Sequence, residues 1–124
     1  MKGAVLIMMM AVAGFSPTQA AETAIEHLNS KHAFKGVPFS EAVRAGPVLY
    51  LSGQLGNEPG VLKLVPGGIR AEARQTMVNL KNTLEAHGYS MDNLVKCTVM
   101  LADLQEWPAF NEIYRSYFED KFPA

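Results

Sequence analysis

From Ile69 to His87 the apolar residues Ile69, Ala73, Met77, Leu80 and Leu84 return every three or four positions, the period of one face of an α-helix. Pro66-Gly67-Gly68 ends the loop before this run, Gly88 supplies a stop after it, and Lys81 and Glu85 form an i,i+4 charge pair on the outer side. A helix of about five turns with one apolar stripe is marginal alone in water, so another element must cover that stripe. This requirement shapes the reading of the remaining chain.

The cover comes from strand-like segments and a second helix. Ile25 and Leu28 anchor a short edge strand, followed by an irregular approach punctuated by Gly36 and Pro38. Glu41–Arg44 and Val48–Leu55 flank Ala45-Gly46-Pro47, which predicts a hairpin. In its second arm Leu49, Leu51 and Gly53 face one way, and Val48, Tyr50, Ser52 and Gln54 face the other. The segment NEPGVLKLVPGG reads as a loop. After Ser90, a possible cap, Val95–Leu101 alternates Val95, Cys97, Val99 and Leu101 against Lys96, Thr98 and Met100, which predicts a strand with one wetter face. A second helix runs from about Trp107-Pro108 to Phe118 and presents Phe110, Ile113, Tyr114, Tyr117 and Phe118 inward. The order strands, helix, strand, helix predicts an α+β fold, one sheet with both helices on one face, and 124 residues suit a single domain.

The N-terminus follows a different logic. Lys2 precedes an apolar run, Gly3 to Phe15, too short to span a bilayer, and SPTQA follows with small residues at Thr18 and Ala20. This is the pattern of a secretory signal peptide over residues 1–20, cleaved after Ala20, with the folded domain over residues 21–124. The expectation is an exported, periplasmic protein. Cys97 is the single cysteine and lies far from that cleavage site, which rules out both an intramolecular disulfide and a lipid anchor at the mature N-terminus; no stable membrane anchor is expected. The net charge of −1, without any Lys/Arg run, lacks the electrostatic footprint of a nucleic-acid partner.

Few residues carry obvious chemistry. His27, His32 and His87 share no metal-ligand spacing with one another or with Cys97 and read as solvated surface residues; no metal site is expected. Cys97, on the side of Val95 and Val99, reads as a small hydrophobe. In VLYLSGQLG a glycine interrupts an apolar strand at Gly53, marking either a bulge or a place where something approaches the backbone closely.

Five segments, PFSEAV (Pro38 to Val43), YLSGQ (Tyr50 to Gln54), VPGGIRAEARQTMVNLKNTLEAHG, VKCTVMLADL and FNEIYRSYF, together resemble the RidA/YjgF family of reactive-intermediate deaminases in order and spacing, over essentially the whole mature chain. The resemblance implies a chorismate-mutase-like α+β fold with a mixed sheet, assembled as a homotrimer with clefts between subunits and using no cofactor. It implies hydrolysis of small enamine and imine substrates, such as 2-iminobutanoate and 2-iminopropanoate, to 2-oxo acids and ammonia. Carried over residue by residue, it makes Ser52 and Gly53 cleft backbone, Asn111 a polar positioning group, and Phe39, where many members have Tyr, a cleft wall. The family's carboxylate-clamping Arg and water-positioning Glu fall beyond Ala124, so no catalytic residue is assigned. The expectation is an exported member lacking the C-terminal strands: a shortened deaminase, or alternatively a non-catalytic small-molecule-binding trimer.

Overall fold

The computed structural model describes residues 23–124, so the expected signal peptide and its cleavage site lie outside the described residues. Three strands come first: β1 (Ile25–Leu28), β2 (Ala42–Ala45) and β3 (Val48–Leu51) form an antiparallel sheet in the order β1-β2-β3. The hairpin forms where the turn residues predict, with Gly46-Pro47 as a two-residue loop and Gly46 at φ 57°. Glycine at the first loop position gives the primed turn whose twist matches that of the strands. The register pairs Ala42 with Leu51 and Ala45 with Val48. The first arm is as long as the sequence suggests but shifted by one residue, and the second is shorter. β3 leaves the ladder after Leu51, and Ser52 keeps one further bond, donating its N–H to the Glu41 carbonyl at 3.0 Å.

Helix α1 (Gly68–Ala86) occupies the expected stretch and buries Ala73, Met77, Thr83 and Leu84. It ends on a Schellman motif: Gly88, at φ 83°, donates its N–H to the Glu85 carbonyl at 3.1 Å, and Tyr89 donates to the Leu84 carbonyl at 2.9 Å. Helix α2 (Trp107–Arg115) packs on α1, and the core where they meet centres on Ala73, Phe110 and Ile113. Ile69, Val99, Leu101, Tyr114 and Tyr117 close around it. Helix α2 stops before the predicted Phe118, the chain continuing through single-turn bonds such as Phe118 N–H to the Arg115 carbonyl at 3.2 Å. The rings of Trp107, Phe110, Tyr114, Phe118 and Phe122 follow one another at centroid separations of 5.0 to 5.8 Å, the tilted or offset contacts aromatic rings favour.

One expectation needs correction. Val95–Leu101 shows the predicted alternation from Cys97 onward, but Val95 is exposed and the segment has no ladder that would make it a strand. Among the described residues its bonded neighbour is Ala124, whose N–H donates to the Val95 carbonyl at 3.0 Å and whose carbonyl accepts from Cys97 N–H at 2.9 Å, a parallel pattern. The sheet of β1, β2 and β3 is antiparallel throughout, in keeping with an α+β fold. Cys97 sits half-buried beside Tyr114, as a small core residue should. Burial first, and then a hydrogen bond with the Cys97 thiol, push the Tyr114 phenol above its ordinary range.

Candidate functional site

A cavity of about 830 Å³ opens where three segments converge: the loop Asn29–Phe39, the exit of β3 from Ser52 to Leu55, and the last two turns of α1 from Asn79 to Ala86. Phe39, Ser52 and Gly53 all line it, so three of the four residues singled out in the sequence come together. Asn111 does not. It lies half-buried on α2, outside the lining of this cavity.

Each lining residue is placed by a specific local cause. Ser52 donates its hydroxyl to the Ser40 carbonyl at 2.6 Å and its N–H to the Glu41 carbonyl, which fixes the β3 exit against the Pro38–Glu41 segment. Gln54 Nε2 donates to the Ser52 carbonyl at 3.3 Å. Phe39 is 53 % exposed and, with Phe34, Val37, Leu55 and Leu62, gives the cavity an apolar surface. A Cβ at Gly53 would meet nothing within 4 Å, and Gly53 does not have positive φ. The packing of the chain itself therefore does not require glycine there, and a side chain at this position would grow into open space at the cavity.

The glycine that packing does require is Gly56. A Cβ there would stand 2.5 Å from the Glu72 carbonyl oxygen and 2.6 Å from Glu72 Cα, so the close backbone approach falls three residues after Gly53, where α1 crosses the chain. Asn79 locks the same crossing by donating its amide to the carbonyls of Leu55 at 2.9 Å and Asn57 at 3.0 Å. Asn57, buried, in turn donates to the Glu58 and Val61 carbonyls, each at 2.9 Å, and shapes the loop whose Pro59, Gly60 and Leu62 edge the cavity.

The feature that sequence reasoning missed is Glu41. Its carboxylate accepts from Ser30 N–H at 2.8 Å, Ser30 Oγ at 3.2 Å and Thr83 Oγ1 at 3.4 Å, and lies 3.0 Å from His87 Nε2. The side chains of His87 and Glu41 are only 8 % and 11 % exposed, so the expectation of a solvated His87 is overturned: α1 carries the imidazole inward over the sheet's end. Burial pushes the Glu41 carboxyl up, but the backbone and side-chain hydrogen bonds from Ser30 and then the contact with His87 outweigh it, and the net shift is downward from 4.5. Glu41 lines the cavity and His87 stands behind it. Glu41 was visible within PFSEAV, but nothing in the sequence linked it to a histidine 46 residues away.

Comparison with known proteins follows the same segments. The family model described as Endoribonuclease L-PSP matches residues 30–124. The chain is similar to the 2-iminobutanoate/2-iminopropanoate deaminase of Capra hircus, 45% identical over 87 residues, covering 70% of this chain and 64% of the relative. The deaminase of the same name from Homo sapiens is 44% identical over 87 residues, with the same coverage. The matched part thus spans less than two thirds of the length of these relatives. Among solved structures, RidA from an Antarctic Psychrobacter superposes with a TM-score of 0.72 at 34% identity over 80% of each chain. A Yersinia pestis member of the conserved Rid protein family, YyfA, superposes with a TM-score of 0.74 at 31% identity over 82% of each.

Proposed function

The chain belongs to the endoribonuclease L-PSP family, also called YjgF/RidA, and on that footing we propose that it is a deaminase of small reactive imines, converting 2-iminobutanoate or 2-iminopropanoate to the 2-oxo acid and ammonia. The observation that carries the reading is the 45% identity to a deaminase of that name over 87 residues. The reaction itself is simple: water adds to the C=N carbon, and the resulting amino alcohol expels ammonia and leaves a carbonyl. A protein accelerates it mainly by holding the imine and one water in line and by keeping other water away.

The cavity suits that task. Phe39 and Leu55 supply apolar walls, and the open space at Gly53 lets a small planar substrate lie against the backbone. Asn111, on α2, reaches such a cleft from a neighbouring copy in a homotrimer, which would complete with its amide a site that one chain leaves open. The protein acts after export, starting at Ala21. The family description also names an endoribonuclease, but a chain of net charge −1 without a basic run is poorly suited to a phosphate backbone.

The test is ammonia release from 2-iminopropanoate generated in situ, measured above the spontaneous rate. Acceleration proportional to protein concentration is expected, with no cleavage of single-stranded RNA by the same preparation. Saturable binding of a 2-oxo acid analogue without any acceleration would replace the deaminase with a non-catalytic binder.

A further inference from the structure

We propose that Glu41 and His87 are the positioning pair of this cleft, fixing Ser52 and the Phe39–Ser40 segment in the geometry that the substrate meets; the proposal rests on the deaminase reading above. Among the described residues, Glu41 is the one bonded to all three walls. Its carboxylate takes Ser30 from the first wall and Thr83 and His87 from the end of α1. Its N–H donates to Asn29 Oδ1 at 2.9 Å, and its carbonyl accepts from Ser52 N–H at 3.0 Å. The neighbouring Ser40 carbonyl holds the Ser52 hydroxyl at 2.6 Å. Moving the Glu41 side chain therefore moves the β3 exit and the residues that flank it.

The pair positions and does not itself react. Both carboxylate oxygens are engaged, Oε2 by Ser30 N–H and His87 and Oε1 by the Ser30 and Thr83 hydroxyls, and the imidazole does not line the cavity. Stability alone does not account for it either. Enclosing a carboxylate and an imidazole costs desolvation that an apolar pair of similar volume avoids, and such replacements are often neutral or stabilising. What an apolar pair cannot do is fix direction, because its contacts have no preferred angle. The four donors around Glu41 do.

Three variants of the full chain decide it. His87→Ala is expected to lower kcat/KM on 2-iminopropanoate about tenfold through misplacement of the cleft. It should speed hydrogen exchange at the Ser52 amide about as much, while the Ile113 amide in α2 keeps its protection. His87→Gln, which retains an N–H donor, is expected to restore both. The double variant Glu41→Met/His87→Leu keeps the packing, guards against a single variant that fails to fold, and should lose kcat/KM as His87→Ala does while the Ile113 amide keeps its protection. Parental kcat/KM and Ser52 exchange in the double variant, or equal impairment of His87→Ala and His87→Gln, would overturn the proposal. If the parent itself does not hydrolyse the imine, the deaminase reading fails separately, and Ser52 exchange alone judges the pair: faster exchange in the double variant supports it and parental exchange rejects it.

Discussion

Gly56 lies against Glu72 so closely that a Cβ on the glycine would stand 2.5 Å from the glutamate's backbone oxygen, whereas a Cβ on Gly53 would meet nothing within 4 Å. The two glycines therefore fail differently when replaced. Gly56→Ala must push α1 away from the chain it crosses, at a cost of about 2 kcal/mol or more. Gly53→Val should change stability by less than about 0.5 kcal/mol, as at an unconstrained surface position, while filling the cleft and abolishing turnover. Urea titration of both variants, with the imine assay on the second, checks the contrast; a Gly53→Val protein that unfolds early would show that its backbone is constrained after all.

Asn79 carries the same crossing by hydrogen bonds. Removing its amide leaves the carbonyls of Leu55 and Asn57 without that donor. Asn79→Ala should cost about 1 to 3 kcal/mol and loosen the loop first, seen as faster exchange at Val65, whose N–H donates to the Gly56 carbonyl at 2.8 Å. Unchanged Val65 protection would place the hold on this loop elsewhere.

These contacts mark where sequence reasoning reached and where it stopped. Helix α1 was legible nearly to the residue, because its period, glycines and stop are local signals. The hairpin was legible for the same reason: Gly46-Pro47 dictates its turn. Val95–Leu101 shows the limit, since alternation reveals which side chains face inward but pairing belongs to the partner, and among the described residues Ala124 alone takes that place. At the cavity, Ser52, Gly53 and Phe39 were singled out in the sequence and all line it, while the Glu41–His87 contact spans 46 residues and each member alone looks like a surface group. Gly56 went unremarked because the helix that crosses it lies elsewhere in the sequence.

The Glu41 carboxyl is held below 4.5, so it binds a proton more readily in the unfolded chain than in the folded one. Its contribution to stability is complete above that ordinary value and is lost as the pH falls through the lower folded value. Glu41→Gln should flatten the acid side of the stability profile. Chemical denaturation of parent and variant from about pH 3 to 7 measures the slope, and parallel slopes would mean that other carboxyls dominate acid unfolding. Lys31, His32 and Glu85 share the cavity lining, so the comparison is made between variants at each pH and not across the pH range of one protein.

Export can be checked directly. Lys2, the apolar run from Gly3 to Phe15 and the small residues at Thr18 and Ala20 predict cleavage after Ala20. Mass spectrometry of protein from cells carrying the native leader should find Ala21 first, in a periplasmic or secreted fraction. A cytoplasmic product that retains the leader would remove export from the functional reading.

Asn111 gives the sharpest test of assembly. It lies on α2 outside the cavity that Phe39, Ser52 and Gly53 line, and the homotrimer proposed above would bring it to the cleft of a neighbouring copy. In a cyclic trimer each cleft joins one face of a chain to the other face of the next. Gly53→Val disables the first face, and Asn111→Ala weakens the second to a lesser degree. Co-expressed in equal amounts, the two variants form about one cleft in four from two unaltered faces, so about a quarter of parental activity should return. The same proteins purified separately and blended without exchange give only half the residual activity of Asn111→Ala. Co-expression that yields no more than this blend, from a preparation that native mass spectrometry shows to be mixed trimers, would place Asn111 in the same cleft as its own Gly53 or outside the reaction altogether.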